Sequence, residues 1–576
     1  MGYMEKYNEW LTNPFFDEQT KQELLSIQDD ENEIEYRFHK DLEFGTAGLR
    51  GVMGAGTNRM NIYTVRKATQ GLCNYILKQE EYHKDMGICI AYDSRRFSPE
   101  FAEQAALVIA ANGIKAYVFP ELTPTPMLSF TVRRLNCISG IVITASHNPA
   151  EYNGYKAYWS DGCQVPYPRD FEIIQEVDAI ASFSEIKIAD PLQAKQNGLY
   201  TFVSDDIVDD YIETVKALSI NHDVIADVKA TLKIVYTPLN GAGNKPVRRV
   251  LNELGFKSIF VVPEQEMPDS NFTTVGYPNP EVADAFSLAN NLANEVEADI
   301  IIATDPDCDR VGVISKSASG EYINLSGNMA GILLTEYILS EKKKNNTLPS
   351  NAAVVSTIVS TNLTAEIAKA YGADYFDVLT GFKYIGGIIR DFEASGSHTY
   401  IIGFEESIGY LPGSYARDKD GVAATMLICE LAAYYKKRNM TLPDALDEIF
   451  AKYGYFSEGV ENIVHEGIEG AKRIKKIMSD LREKEPDKIN GYTVTNIRDY
   501  LSGITRNKLS GTQSQLTLPV SDVLYYELED DSWFCVRPSG TEPKIKIYFG
   551  VKESSKALAD DKLQALMKNA MDFILK

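Results

Sequence analysis

Histidine and cysteine are scarce in this chain of 576 residues, six and seven respectively. Both are dispersed, with no Cys-x-x-Cys pair anywhere between Cys73 and Cys535. That excludes a disulfide framework and leaves no pattern for a His/Cys zinc centre. An odd, scattered set reads as reduced thiols, so a cytoplasmic protein is expected. Long apolar runs are also missing, and none approaches the roughly eighteen residues of a membrane-spanning helix. Residues 1–16 lack a basic stretch leading into a greasy core, so no secretory leader is expected. Lys6 stands where a myristoylation motif needs Ser or Thr. Positive charge is in deficit: 58 Lys and Arg against 81 Asp and Glu, a net −23. This disfavours nucleic acid and anionic membranes as partners. An anionic metabolite can still bind, provided the cations are gathered locally.

The chain is too long for one hydrophobic core, and three to five domains are expected. Three stretches share a plan of strand, polar loop, helix, Gly, strand. The first has strands at Gly87–Tyr92 and Lys115–Phe119, with Ser98 as a helix N-cap, Pro99 at the first helical position and a helix ending near Gly113. The second has strands at Lys233–Thr237 and Ser258–Val262, with its helix ending at Gly255. The third has strands at Ala353–Thr357 and Tyr375–Val378, with a helix from about Asn362 to Gly372. Alternation at this pitch indicates α/β domains with largely parallel sheets, which bind ligands beyond the carboxyl ends of their strands. The last part differs: a charged helix near 469–485 precedes strand-like runs at Val523–Leu528, Trp533–Val536 and Lys544–Phe549 and a final helix, an α+β order.

Four segments carry chemistry. In Gly140-Ile-Val-Ile-Thr-Ala-Ser146-His147-Asn148-Pro149 an apolar strand runs into small polar residues, placing Ser146 at its carboxyl edge as a nucleophile or a turn serine. There is no GxSxG elbow, and the adjacent His147 is awkwardly placed as its base. Lys156, ten residues on, suits a proton carrier or a phosphate partner. In Ala298-Asp-Ile-Ile-Ile-Ala-Thr-Asp305-Pro-Asp307-Cys-Asp309-Arg310 a strand meets three aspartates spaced by two, which extended backbone puts on one side. Three converging carboxylates call for a hard divalent cation; the alternative is a solvated acidic loop. An EF-hand is excluded, since Arg310 and Lys316 stand where Gly and Glu are needed. So few protein ligands leave open positions, as on a magnesium ion that also holds phosphate. Gly403-Phe-Glu405-Glu406-Ser407-Ile-Gly409 suits vicinal sugar hydroxyls, with Arg417 and Lys419 close behind. Arg537-Pro-Ser539-Gly540-Thr541 combines a guanidinium fork, hydroxyls and a glycine, and fits phosphate or a plain turn. Gly45-Thr-Ala-Gly-Leu-Arg50-Gly adds another Gly-rich loop with an arginine. Arg50, Arg95, Lys156, Arg310, Lys383, Arg417, Lys419 and Arg537 are the local cations that the acidic total demands.

Together and in this order these segments resemble the α-D-phosphohexomutase superfamily over nearly the whole chain. Thr144–Pro149 and Asp305–Arg310 are its most specific motifs. Thr380-Gly-Phe-Lys383-Tyr-Ile-Gly386 and the length are most similar to its phosphoglucomutase-2 branch, which also holds phosphopentomutases. The resemblance implies four domains around a central cleft: three related α/β units with mixed or parallel sheets at 1–204, 205–321 and 322–455, and a mobile α+β lid at 456–576. It implies transfer of a phosphoryl group between the 1- and 6-hydroxyls of glucose through phospho-Ser146. One magnesium ion per chain would be held by Asp305, Asp307, Asp309 and a phosphoryl oxygen on Ser146, with glucose 1,6-bisphosphate as intermediate and activator. Lys156 and His147 would assist proton transfer, and Arg50 and Arg310 would lie beside the phosphoserine. Arg95, Thr380, Lys383, Glu405, Ser407, Arg417 and Lys419 would face the sugar phosphate, and Arg537, Ser539, Gly540 and Thr541 would hold its unreacted phosphate. The implied partner is a small sugar phosphate, the chain a monomer or homodimer. Mannose-specific members often have Gly-His after the serine; Ile408-Gly409 here favours glucose or a pentose. Two rival classes are a metal-dependent phosphatase with an aspartate nucleophile and a non-catalytic sugar-phosphate binder.

Overall fold

The computed structural model describes residues 2–43, 45, 48–464, 467–539 and 544–575, the side chains of 467–469 and 471 excepted. Gly540 and Thr541, and Thr46 and Ala47 of the front loop, lie outside the described residues.

Four sheets follow one another along the chain. The first holds β1 (Leu49–Val52), β2 (Gly87–Tyr92), β3 (Lys115–Val118), β4 (Ser139–Ile143), β5 (Tyr152–Trp159) and β6 (Tyr200–Phe202), in the order β1-β5-β4-β2-β3-β6. The second holds β7 (Lys233–Thr237), β8 (Ser258–Val261), β9 (Ile300–Thr304), β10 (Val311–Lys316) and β11 (Tyr322–Leu325), ordered β11-β10-β9-β7-β8. The third holds β12 (Ala352–Thr357), β13 (Asp374–Val378), β14 (Thr399–Glu405) and β15 (Gly409–Pro412), ordered β13-β12-β14-β15. The repeated plan read from the sequence is present, and the structure shows how it ends. In each sheet a parallel core leads to a strand that turns back antiparallel: β4 into β5, β9 into β10, β14 into β15. The parallel strands β2, β4, β9 and β12 are buried along their whole length. They are apolar at consecutive positions because helices cover both faces.

The fourth sheet is antiparallel throughout. It comprises β16 (Tyr455–Val464), β17 (Lys488–Ile489), β18 (Tyr492–Asp499), β19 (Ile504–Asn507), β20 (Gln513–Gln515), β21 (Leu524–Leu528), β22 (Trp533–Pro538) and β23 (Lys544–Glu553). The helices Gly467–Glu483 and Lys556–Ile574 accompany it, giving the α+β unit expected. β16 follows directly on the third domain and pairs with β23 over its full length.

Two local readings are corrected. Ser98 is the first helical residue rather than the cap; the cap position belongs to Phe97, at φ 63°. The Ser98 hydroxyl instead donates to Asp93 (2.9 Å) and accepts from Asn153 (3.0 Å), holding the loop after β2 against β5. The boundary at 321/322 also moves, because β11 pairs with β10 and the second sheet runs through Leu325. Among the described residues, no helix is long and apolar enough to cross a membrane, and all seven cysteines are free and buried.

Candidate active site

The three antiparallel returns bring the three motif loops together. Each turn holds one non-glycine residue in the left-handed region: Ser146 (φ 52°), Cys308 (φ 52°) and Ile408 (φ 54°). Such a conformation costs an L-residue about 1–2 kcal/mol and persists only where the surroundings impose it. Here each of the three carbonyls is gripped from elsewhere. Ser146 O accepts from Arg95 Nη2 (2.6 Å). Cys308 O accepts from Gly421 N (3.0 Å) of the third domain, and Ile408 O from Val311 N (2.9 Å) of the second. The loops are stitched to one another.

Ser146 is buried, and its Oγ donates to Asp305 Oδ2 at 2.7 Å. Asp305, Asp307 and Asp309 are each at most 2% exposed, and one carboxylate oxygen from each lies within 4.8 Å of the others. At an effective dielectric of about 20, each such pair of charges repels by roughly 3 kcal/mol. The chain divides the work between the two oxygens of each carboxylate. Asp305 Oδ1 accepts the backbone N–H groups of Asp309 and Arg310 (3.1 and 3.0 Å). Asp307 Oδ2 accepts from Thr125 Oγ1 (2.8 Å) and Lys156 Nζ (2.7 Å). Asp309 Oδ2 takes Lys156 Nζ (3.4 Å) and Lys419 Nζ (3.2 Å). That leaves Asp307 Oδ1 and Asp309 Oδ1 buried with no hydrogen-bond partner. Buried carboxylate oxygens are not normally left so, and two of them beside a third converging oxygen fit a hard divalent cation.

Protonation equilibria follow the same geometry. Burial, then the charges of Asp307 and Asp309, pushes Asp305 well above the usual carboxylate range. Burial would raise Asp309 too, but Lys419, Lys156 and Arg310 hold it well below. Burial opposes the charge on Lys156, yet Asp307 and Asp309 outweigh it and raise its pKa. Burial and then Arg310 and Arg50 push His147 well below the usual imidazole value, so the ring is neutral. Its Nδ1 is 3.2 Å from Ser146 Oγ: adjacency in sequence does not prevent contact.

The other expected residues divide into two groups. Arg50 is exposed, with Nη1 3.2 Å from Asn148 Oδ1 beside the serine loop. Arg310 Nη1 donates to Ser407 O (3.1 Å) and faces Glu281 (3.6 Å), joining the second and third loops. Glu405 accepts from Gly381 N (2.8 Å), next to the half-buried Thr380. The stem of Lys419 passes where a side chain on Gly409 would sit, a Cβ there lying 2.1 Å from Lys419 Cδ. The small residue after Ile408 thus admits a lysine into the aspartate cluster. Lys383 is more peripheral, with Nζ 3.9 Å from Asp170. Arg537 and Ser539 close the β22–β23 hairpin, with Ser539 N donating to Lys544 O (2.8 Å).

Two cations expected at the substrate point elsewhere. Arg95 is 1% exposed: its guanidinium lies 3.3 Å from Asp93, stacks over Phe272 and donates to the carbonyls of Ser146, Asn148, Pro149 and Tyr152. Arg417, also 1% exposed, bonds the carbonyls of Ser414 and Ala416 and pairs with Glu393. Both are structural clamps, because a strand-end arginine can turn inward to satisfy loop carbonyls as readily as outward. Sequence reading missed Thr125, Glu281, Asp418 and Lys546. Asp418 holds Lys419 Nζ (3.1 Å) and accepts from Tyr158 (2.6 Å). Lys546, opposite Arg537 in the β22–β23 ladder, has its pKa pushed down by burial, against the opposing pull of Glu281 and Glu406. Only Lys546's place between strand-end motifs could have flagged it.

Models of the phosphoglucomutase/phosphomannomutase family match in four consecutive pieces: alpha/beta/alpha domain I at 41–183, domain II at 209–320, domain III at 326–453 and the C-terminal domain at 481–564. A phosphoglucomutase of Staphylococcus aureus is 36% identical over 559 residues, covering 96% of this chain and 95% of that one. One from Staphylococcus haemolyticus is 34% identical over 551 residues, covering 96% of each. The crystal structure of a Paramecium phosphoglucomutase in its open form superposes with a TM-score of 0.67 at 18% identity, covering 92% of this chain and 94% of the other. A phosphoglucomutase/phosphomannomutase family protein from Burkholderia thailandensis gives 0.63 at 18% identity, covering 91% and 96%. These two show the shared fold. With the models spanning most of the chain and relatives above 30% identity along it, the protein is a member of the phosphoglucomutase/phosphomannomutase family, the α-D-phosphohexomutase mutases.

Proposed function

We propose that the chain is a phosphoglucomutase, interconverting α-D-glucose 1-phosphate and glucose 6-phosphate through phospho-Ser146 and glucose 1,6-bisphosphate. The observation that carries this is Ser146 Oγ set 2.7 Å from Asp305, beside two buried carboxylate oxygens that have no hydrogen-bond partner. Asp305, Asp307 and Asp309 would hold one magnesium ion, which when bound would neutralise the transferring phosphoryl group.

Phosphoryl transfer asks for in-line positioning and neutralised charge. The P–Oγ bond of phospho-Ser146 breaks as the sugar's free hydroxyl oxygen bonds phosphorus. Oγ takes up a proton, the hydroxyl gives one up, and the proton count is unchanged. His147, neutral and 3.2 Å from Oγ, is placed to exchange that proton. Lys156, paired with Asp307 and Asp309, acts as a fixed positive charge rather than as a base. Arg50 and Arg310 add charge beside the serine, and Glu405 and Ser407 take sugar hydroxyls. Arg537 and Ser539, with Lys546, receive the phosphate that does not react, and the bisphosphate turns over to present its other end. Closure of the fourth domain keeps water from the phosphoryl group. The free, buried cysteines support a reducing, cytoplasmic setting.

The phosphatase reading is disfavoured because the aspartate that would attack is engaged by Ser146. Intact-mass and phosphopeptide analysis of active enzyme is expected to place phosphate on Ser146, and Ser146→Ala to abolish exchange while the fold persists. An active enzyme that never carries the modification sinks the proposal. Comparing rates on glucose, mannose, ribose and deoxyribose 1-phosphates assigns the sugar.

A further inference from the structure

The three aspartates are not fixed in the same way. Asp305 is held by N–H groups of its own loop, and Asp309 by two lysines. Asp305 and Asp307 each also accept a hydroxyl from the first domain, Ser146 and Thr125 respectively; of the two, only Thr125, 182 residues from Asp307 in sequence, is not the proposed phosphoryl carrier. Thr125 is the first residue of the helix Thr125–Arg134 and is wholly buried. Its Oγ1 donates to Asp307 Oδ2 (2.8 Å) and its N–H to the Asp307 carbonyl (2.9 Å), so one residue fixes both the side chain and the backbone of its partner. The N-terminus of a ten-residue helix, with its partial positive charge, thereby faces the carboxylate.

The remaining partner of Asp307 Oδ2 is Lys156. An ammonium on a flexible four-carbon stem has three equivalent donors and directs an acceptor poorly. A hydroxyl one bond from a helical backbone has a nearly fixed position, and with Oδ2 pinned there the planar carboxylate must present Oδ1 where it has no partner. We propose that Thr125 is the positioning residue for cation binding, setting the Asp307 carboxylate so that its free oxygen faces the ion and tying the cation site to the first domain. The proposal rests on the assignment of Asp305, Asp307 and Asp309 as cation ligands.

The test is Mn2+ binding to the full-length, dephosphorylated protein, followed by electron paramagnetic resonance and calorimetry. Thr125→Val keeps the shape of the side chain and removes the hydroxyl; Thr125→Ser keeps the hydroxyl. Loss of an outer-shell partner typically weakens metal binding about 10–100-fold. Thr125→Val is expected to bind Mn2+ at least about tenfold more weakly, with Thr125→Ser within about threefold of wild type. Should valine prevent folding, Thr125→Ala removes the hydroxyl without adding bulk. Wild-type affinity in the folded hydroxyl-free variant overturns the role of Thr125. Asp307→Asn separates the two ideas: if it also binds like wild type, the cation assignment itself is wrong, and if it alone loses affinity, only the Thr125 proposal fails.

Discussion

Replacing Arg95 by methionine tests whether the serine loop is held from behind. The guanidinium is the donor for the carbonyls of Ser146, Asn148, Pro149 and Tyr152 and the counter-charge of buried Asp93. Removing one partner of a buried ion pair costs about 3–5 kcal/mol. Ser146 adds to the drive, since its left-handed conformation is retained at a cost of about 1–2 kcal/mol and is shed when the loop relaxes. Taking about 3 kcal/mol as the net loss, after water re-pairs part of the exposed carbonyl surface, the closed-to-open ratio of the loop falls about a hundredfold at 1.4 kcal/mol per tenfold. Hydrogen exchange is therefore expected to accelerate about a hundredfold in peptides spanning 144–153, with those of the third and fourth domains unchanged. Turnover is expected to fall by at most a similar factor, as far as the open loop becomes populated, with little change in KM, because the Arg95 guanidinium is spent on the loop carbonyls. Arg95→Lys restores the charge but not the four-carbonyl fork, and is expected to recover only part of the loss. A raised KM with turnover intact would refute the reasoning, since it would make Arg95 a substrate contact.

Gly48→Ala is expected to inactivate without unfolding. Gly48 has φ 107°, and a Cβ there would lie 1.8 Å from the Tyr155 carbonyl oxygen, so β1 must leave β5 and carry Arg50 away from Asn148; an active alanine variant tells against that placement. Glu458 of β16 is half-buried against Asn328 and Thr361 with no cation paired to it among the described residues, and loss of solvent pushes its carboxyl up to about 7 from an ordinary 4.5. Its preference for the neutral acid stabilises the junction of the third and fourth domains fully below about pH 4.5, and is lost as pH rises through about 7. Thermal denaturation of wild type and Glu458→Gln at a series of pH values is expected to show the difference widening in favour of the glutamine between pH 5 and 7.5; parallel curves would remove Glu458 from the account.

The chemistry-bearing loops were legible because each interrupts an apolar strand with residues that cannot belong to a sheet core. The serine, the aspartates and Glu405 needed only the rule that ligands sit beyond strand ends. Side-chain direction was not legible. Arg95 and Arg417 look like Arg50 and Arg310 in sequence, yet the first pair turns into loop carbonyls, and nothing local distinguishes the two outcomes. Thr125 was invisible for a different reason: its partner is 182 residues away, and a threonine between prolines reads as an ordinary helix start. The fourth domain was under-read because β16, β19 and β20 are half-buried or exposed strands, at or next to the sheet's edges, without a strong apolar alternation. The cap at Ser98 was misassigned because Phe97 takes a left-handed conformation that composition does not announce.

Asp309 belongs to the second domain, while the two lysines that neutralise it come from the first and the third. No fragment ending before Lys419 carries both lysines, so in a growing chain Asp309 lacks one of its counter-charges until the third domain is made. The full charge balance of the aspartate loop therefore exists only where three separately folded sheets meet, and a protease cut that let the first and third domains part would undo it even with every sheet still folded.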